Sequence, residues 1–131
     1  MDELPIRTGD DVVRVRQQVR TVAAAGGLSL VDQTKLVTAA SELARNALVH
    51  GGGGIAQVEV IASANGRSGV RVTFADTGPG IADLEQALTD GWTTGGGLGL
   101  GLSGARRLVD EFELTSEPGA GTRVVVSKWR R

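Results

Sequence analysis

Residues 41–47 read Ser41-Glu42-Leu43-Ala44-Arg45-Asn46-Ala47, which places a carboxylate and an amide four residues apart. Two further segments follow along the chain, and they read Asp76-Thr77-Gly78-Pro79-Gly80-Ile81 and Gly95-Gly96-Gly97-Leu98-Gly99-Leu100-Gly101-Leu102. Together they supply a Glu/Asn pair, an acidic residue on a turn and a glycine loop that opens a helix. These are the parts that binding of a metal–nucleotide complex requires. Each segment alone is weak evidence for a nucleotide site, but the order and spacing of the three predict an ATP-using protein kinase.

The length and composition of the chain limit the number of domains and the classes of function that it can have. It has 131 residues, which predicts a single domain over residues 1–131. It is 40% hydrophobic with very few aromatic residues, so its core is expected to be aliphatic. The net charge of −1 argues against general binding to nucleic acid or anionic membranes. The absence of cysteine excludes disulfides and thiolate zinc sites. With no long apolar run and no signal core, a cytoplasmic protein is expected.

The hydrophobic pattern predicts an α/β fold. Thr8 with Asp11 and Ser29 with Asp32 have the spacing of capping boxes and predict two helix starts. The closing segment is a hairpin around residues 117–121, and hairpins require antiparallel pairing. We therefore expect a two-layer sandwich, with a mixed, mostly antiparallel sheet and helices on one face. The predicted strands cover residues 4–7, 55–62, 70–74, 112–116 and 122–129, and the predicted helices cover residues 9–25, 30–49, 82–89 and 103–111.

The helix that carries Glu42 and Asn46 is amphipathic. On a helical wheel Asn46 lies about 40° from Glu42, because each residue turns by about 100°. The opposite side is apolar and consists of Leu36, Val37, Ala40, Leu43, Ala44, Ala47 and Leu48. An amide oxygen suits Mg²⁺, and a neighbouring carboxylate can orient or deprotonate an attacking group. Arg45 lies about 60° the other way, where it either reaches a γ-phosphate or is an ordinary surface residue.

Asp76 follows an alternating strand and precedes a tight turn. A carboxylate held at a strand end accepts a hydrogen bond from an exocyclic amine such as N6 of adenine, and Gly78 and Gly80 would let a flat base lie against the backbone. The alternative is a plain Asp/Gly/Pro loop.

The glycine loop resembles neither of two common phosphate-binding motifs. Leu102 replaces the third glycine of a dinucleotide fingerprint, and no Gly-Lys-Ser/Thr follows as in a P-loop. A phosphate site at the foot of a lid over residues 84–97 fits the pattern better.

With these motifs, residues 30–131 resemble the GHKL ATPase superfamily, which has the Bergerat α/β sandwich fold and includes gyrase-type ATPases, Hsp90-type chaperones and protein kinases. Glu117-x-Gly119-x-Gly121-Thr122 is similar to its closing element. Residues 41–46, residues 90–99 and the Lys128-Trp129 ending resemble the stressosome switch kinases, the RsbT type. The resemblance implies phosphorylation of serine or threonine on STAS-domain proteins, and activation of a PP2C-type phosphatase as a partner switch.

The resemblance also implies roles for single residues. Asn46 would ligate Mg²⁺ beside ATP, and Glu42 would be the general base or orient the acceptor hydroxyl. Asp76 would bind adenine, supported by Thr122. The nucleotide would further contact the following residues: Gly78, Gly80, Gly97, Gly99, Leu100 and Gly101. The lid contains no Lys or Arg, so Arg45 or Arg106 is the expected cation for the γ-phosphate.

Two other functions use a related nucleotide-binding domain. The alternative from a different class is an anti-sigma factor that sequesters a sigma factor, since it would share the same nucleotide site. A free-standing sensor histidine kinase is not expected, because His50 is the only histidine and no dimerisation helix carries a phospho-acceptor. The sequence is compatible with a homodimer, and it does not identify the partner proteins.

Overall fold

The computed structural model describes residues 3–79 and 101–131. These residues form five strands and three helices. In chain order they are β1 (Glu3–Ile6), α1 (Gly9–Ala25), α2 (Leu30–Val49), β2 (Gly54–Ala62), β3 (Ser68–Asp76), α3 (Gly101–Leu108), β4 (Glu111–Glu117) and β5 (Gly121–Trp129). The predicted helix over residues 82–89 and the predicted lid over residues 84–97 lie outside the described residues.

The five strands form one sheet in the order β1-β2-β3-β5-β4, so β3 is central. All four pairings are antiparallel, which makes the described sheet more uniform than the mixed sheet predicted. The α1 and α2 helices pack on the sheet and on each other, and α3 packs on α2. The two-layer α/β sandwich predicted from the sequence is confirmed.

The core is aliphatic, as predicted. Along each strand the residues that face the helices alternate with residues on the other face, since successive side chains point to opposite sides of a sheet. Phe74 is the one aromatic side chain among the buried core residues of the described part. The largest fully buried side chains are Ile6, Leu36, Leu43, Val15, Val19, Val70, Val72 and Val126.

The α1 helix begins with the capping box that the sequence predicts. The Thr8 hydroxyl accepts a hydrogen bond from the Asp11 backbone N–H, and the Asp11 carboxylate accepts one from the Thr8 N–H. The N–H of Arg7 also donates to this carboxylate at 2.8 Å. The hydrogen bond from Arg7 is the main reason why the pKa of Asp11 lies below its usual value. The start of α1 is therefore fixed by hydrogen bonds between residues no more than four apart in the sequence.

The α2 helix begins at the predicted place, but the Asp32 side chain does not have the capping role that the sequence predicts. Ser29 is the N-cap, and its hydroxyl accepts a hydrogen bond from the Asp32 N–H at 3.1 Å. The Asp32 carboxylate instead faces Lys128 of β5, with Oδ1 3.5 Å from Nζ. The second capping box predicted from the sequence is thus replaced by an ion pair between the start of α2 and the end of the sheet.

The α3 helix ends earlier than predicted, at Leu108 rather than near residue 111. The chain turns there because Asp110 is bound to β5. Its N–H donates to the Ser127 carbonyl at 3.0 Å, and its carboxylate accepts from the Trp129 N–H at 2.7 Å. These bonds place Glu111 in β4, where it pairs with Ser127. No helix in the described residues is long and apolar enough to cross a membrane.

Candidate functional site

Asp76 ends the central strand β3 and is the centre of the candidate site. In the sheet it lies between Gly54 of β2 and Thr122 of β5. Its Oδ1 accepts a hydrogen bond from the Gly78 N–H at 3.0 Å. Within the described residues no hydrogen bond is recorded for Oδ2. The hydrogen bond to Oδ1 thus fixes the carboxylate to its own turn.

Glycines allow the end of α2 to touch the turn after β3. A Cβ atom on Gly78 would lie 2.6 Å from the Gly51 Cα, and one on Gly51 would lie 2.6 Å from the Asp76 Cβ and 2.7 Å from the Ala47 carbonyl oxygen. Real Cβ atoms essentially never approach so closely, so both positions require glycine in this geometry. The sequence marks the glycine cluster at residues 51–54, but it does not show that Gly51 packs against Asp76.

The hairpin between β4 and β5 closes the other side of Asp76. Gly121 has a φ of +93°, and a Cβ atom there would collide with the Asp76 carbonyl oxygen. Thr122 is hydrogen-bonded to Ser116, with 2.9 Å between their hydroxyl oxygens. Ser116 was not predicted from the sequence, and its place directly across from Thr122 is known only from the strand register.

A cavity of about 210 Å³ opens at this end of the sheet. It is lined by Ala75, Asp76, Thr115, Ser116, Glu117, Ala120, Gly121, Thr122 and Arg123. The Pro79 carbonyl oxygen accepts a hydrogen bond from the Gly119 N–H at 2.7 Å, which ties the turn after Asp76 to the hairpin. The structure thus brings together the two predicted adenine-site residues, Asp76 and Thr122.

The two predicted catalytic residues lie on the second half of α2. Asn46 is partly exposed, whereas Glu42 is buried, with 6% of its surface accessible. Glu42 is thus buried although it lies on the side of the helix opposite the apolar face. A helical wheel considers one helix alone, whereas α2 packs against α1 and α3 as well as the sheet. The predicted apolar side of the helix is confirmed, since Leu36, Leu43 and Ala47 are buried.

Arg45 lies beside Glu42 rather than free in solvent. Its Nη1 is 3.6 Å from the Glu42 Oε1, and the two residues are three apart on the helix. The Arg45 side chain is 42% exposed and that of Glu42 only 7%. Within the described residues this pair joins a nearly buried carboxylate to a half-exposed cation.

The end of α2 connects Asn46 to the Asp76 turn. The Asn46 carbonyl oxygen accepts hydrogen bonds from the N–H groups of His50 at 2.9 Å and Gly51 at 3.3 Å, and Gly51 packs on Asp76. The residue types fit a magnesium–nucleotide complex, because a partly exposed amide oxygen suits Mg²⁺ and a carboxylate oxygen suits an amine.

The predicted phosphate loop is described only at its last residue. Gly101 begins α3 with a φ of +55°, and Arg106 is exposed in the same helix. The predicted contacts Gly80, Gly97, Gly99 and Leu100 lie outside the described residues.

The chain is similar to several known proteins. The family model described as histidine kinase-, DNA gyrase B- and HSP90-like ATPase matches residues 31–131. The chain is 44% identical over 126 residues to the serine/threonine-protein kinase RsbT of Bacillus subtilis (strain 168), covering 96% of this chain and 94% of that one. It is 35% identical over 101 residues to an anti-sigma F factor of Halalkalibacterium halodurans, covering 74% and 69% of the two chains.

The fold also has solved relatives. The crystal structure of the RsbU and RsbW domains of a Mycobacterium tuberculosis protein matches with a TM-score of 0.64 and 25% identity. That match covers all of this chain, which spans 33% of the longer one. The histidine kinase domain of a blue-light activated kinase from Erythrobacter litoralis matches with a TM-score of 0.53 and 22% identity, over 92% of this chain and 59% of that one, and this likeness concerns the fold.

Proposed function

Because the chain belongs to the histidine kinase-, DNA gyrase B- and HSP90-like ATPases and is a protein-serine/threonine kinase, we propose that it phosphorylates STAS-domain proteins and acts as a partner switch. The observation that carries the proposal is the junction of α2 with the Asp76 turn. There Gly51 packs on Asp76, and the preceding helix turn bears Asn46. Gly51 thus connects Asn46, the proposed metal ligand, to Asp76, the proposed adenine acceptor.

Each residue of the site has a defined task in this proposal. The Oδ2 atom of Asp76 accepts a hydrogen bond from the adenine amine, with Gly78 and Thr122 shaping the pocket around it. The amide oxygen of Asn46 ligates Mg²⁺, which when bound neutralises charge on the phosphates of the substrate ATP. Glu42 accepts the proton of the acceptor hydroxyl or orients that hydroxyl. Its burial limits contact with water, which strengthens electrostatic interactions at this position.

The proposed partners follow from the relatives rather than from the site. Extensive identity to a kinase named RsbT supports a switch kinase that acts on STAS-domain scaffold or antagonist proteins. The proposed second role is binding and activation of a PP2C-type phosphatase. This role would be a property of the protein surface, so loss of the transfer reaction need not remove it.

The alternative function is that of an anti-sigma factor. It is favoured by the identity to anti-sigma F factors, which is lower and covers less of the chain than the identity to the kinase. The two functions share one nucleotide site and differ in their partner. A pull-down with candidate sigma factors separates them, because tight sigma-factor binding without any phosphatase partner supports the alternative.

The proposal is tested by transfer of label from Mg·[γ-³²P]ATP to STAS-domain proteins of the same organism. Asn46→Ala is expected to abolish transfer, since it removes the metal ligand. Asn65→Ala is the matched control, because it removes the same side chain from the exposed turn between β2 and β3 and is expected to leave transfer unchanged.

Two results count against the proposal. Normal turnover by the Asn46→Ala protein contradicts the assignment of the metal site. Binding of Mg·ATP by the unmodified protein without transfer to any STAS-domain protein contradicts the proposed substrate class and favours a nucleotide-gated binding protein.

A further inference from the structure

The ion pair between Arg45 and Glu42 has consequences for the proposed reaction. The Glu42 carboxylate is almost fully buried, and Arg45 is its recorded partner among the described residues. A buried carboxylate without a partner is strongly unfavourable, so removing the cation that the described residues place beside it is costly. Arg45 is half-exposed, and its side chain can be shortened without leaving a cavity in the core.

The order of the side chains around α2 separates Arg45 from the metal ligand. With Glu42 as the reference, Asn46 lies about 40° to one side and Arg45 about 60° to the other. Glu42 therefore stands between the amide that is proposed to hold Mg²⁺ and the guanidinium. A guanidinium that moved to a γ-phosphate would leave Glu42 unpaired beside a highly charged anion, which is unfavourable for both groups.

We infer that Arg45 is a positioning residue that acts through Glu42 rather than a ligand of the γ-phosphate. It holds the buried carboxylate in one orientation, from the side away from the metal. The inference rests on the proposed function for its kinetic consequence, but the ion pair can be tested without nucleotide. It differs from the expectation from the sequence, in which Arg45 was a candidate cation for the γ-phosphate.

The first test measures the ion pair without nucleotide. Thermal unfolding is compared for the unmodified chain, Arg45→Ala, Glu42→Gln and the double variant. Arg45→Ala is expected to lower Tm by about 3–7 °C, because it strands a buried charge. In the Glu42→Gln background the same change is expected to lower Tm by less than about 1 °C, since no charge remains to be paired. An equal loss in both backgrounds overturns the inference.

The second test compares nucleotides. A γ-phosphate ligand distinguishes ATP from ADP, whereas a residue that holds Glu42 does not. The ratio of the Kd values for Mg·ADP and Mg·ATP, measured by calorimetry, is therefore expected to change by less than about fivefold in Arg45→Ala. A fall of fivefold or more overturns the inference. Lys35→Ala is the matched control, because it removes a positive charge from the exposed surface of the same helix.

The third test uses the phosphoryl-transfer rate. Arg45→Ala is expected to lower kcat by about 10- to 100-fold, but by less than about twofold when Glu42 is already Gln, because residues that act as a unit are not additive. Arg45→Lys, which keeps the charge, is expected to recover most of the rate. Equal losses of rate in both backgrounds overturn the inference. If the unmodified protein binds no nucleotide, the proposed function fails, whereas the melting cycle still decides the role of Arg45.

Discussion

Lys128 provides a prediction whose size follows from the structure. Its side chain is 4% exposed, and its Nζ lies 3.5 Å from Asp32 and 3.4 Å from Asp110. One buried cation therefore faces two carboxylates, one at the start of α2 and one after α3. Replacing it in Lys128→Met leaves both carboxylates without their buried partner. Removing one member of a buried ion pair typically costs about 3–5 kcal/mol of unfolding free energy.

This cost translates into a large shift in melting temperature. For 131 residues the unfolding entropy is about 0.28 kcal/mol/K, so the expected loss is about 10–18 °C at pH 7. The control is Arg131→Met, which removes a 60% exposed partner of the same two carboxylates. A pair this exposed is worth at most about 1 kcal/mol, or about 4 °C.

The measurement is thermal unfolding followed by circular dichroism or calorimetry. A Lys128→Met protein that melts within about 4 °C of the unmodified chain would refute the reasoning, because it would show that Lys128 is not needed to neutralise the two carboxylates. The result also bears on the site, since Asp32 lies in the first turn of the helix that carries Glu42 and Asn46.

Three further predictions concern the Asp76 region and pH. Asp76→Asn is expected to weaken Mg·ATP binding about tenfold by calorimetry, because a charged acceptor of an amine is lost; unchanged affinity contradicts the adenine assignment. Gly121→Ala is expected to lower Tm more than Gly119→Ala, since both have positive φ but only the Cβ at Gly121 meets the backbone of Asp76; equal losses would show that the collision relaxes freely. Burial raises the pKa of Asp110, but hydrogen bonding from the Trp129 N–H and the charges of Lys128 and Arg131 outweigh it and hold the pKa below 3.8. The stabilisation by the Asp110 carboxylate is therefore expected to be complete above that value and to be lost as the pH falls through the lower pKa of the folded state, which unfolding at pH 2–7 would measure. The Asp110→Asn protein is expected to lose less stability over this pH range, and an equal loss would contradict the prediction.

Much of the fold could be predicted because its signals are local. The Thr8 cap and the Ser29 cap lie within three residues of the groups they bind, so their spacing in the sequence is enough to place two helices. Alternating apolar residues likewise placed the strands to within two residues of the observed ends. The end of α3 was placed too late, because Asp110 is held by β5, and local sequence carries no sign of that contact.

Some features of the candidate site can likewise be predicted from the sequence, and others are seen only in the structure. The sequence alone predicts that Glu42, Asn46 and Asp76 carry the chemistry, since motif spacing and resemblance need no coordinates. Only the tertiary structure decided that Glu42 is buried, that Arg45 is its partner, and that Gly51 packs on Asp76. The reason is physical: burial depends on every element packed around a helix, and contacts between distant residues depend on the strand register and on close approach of the backbone.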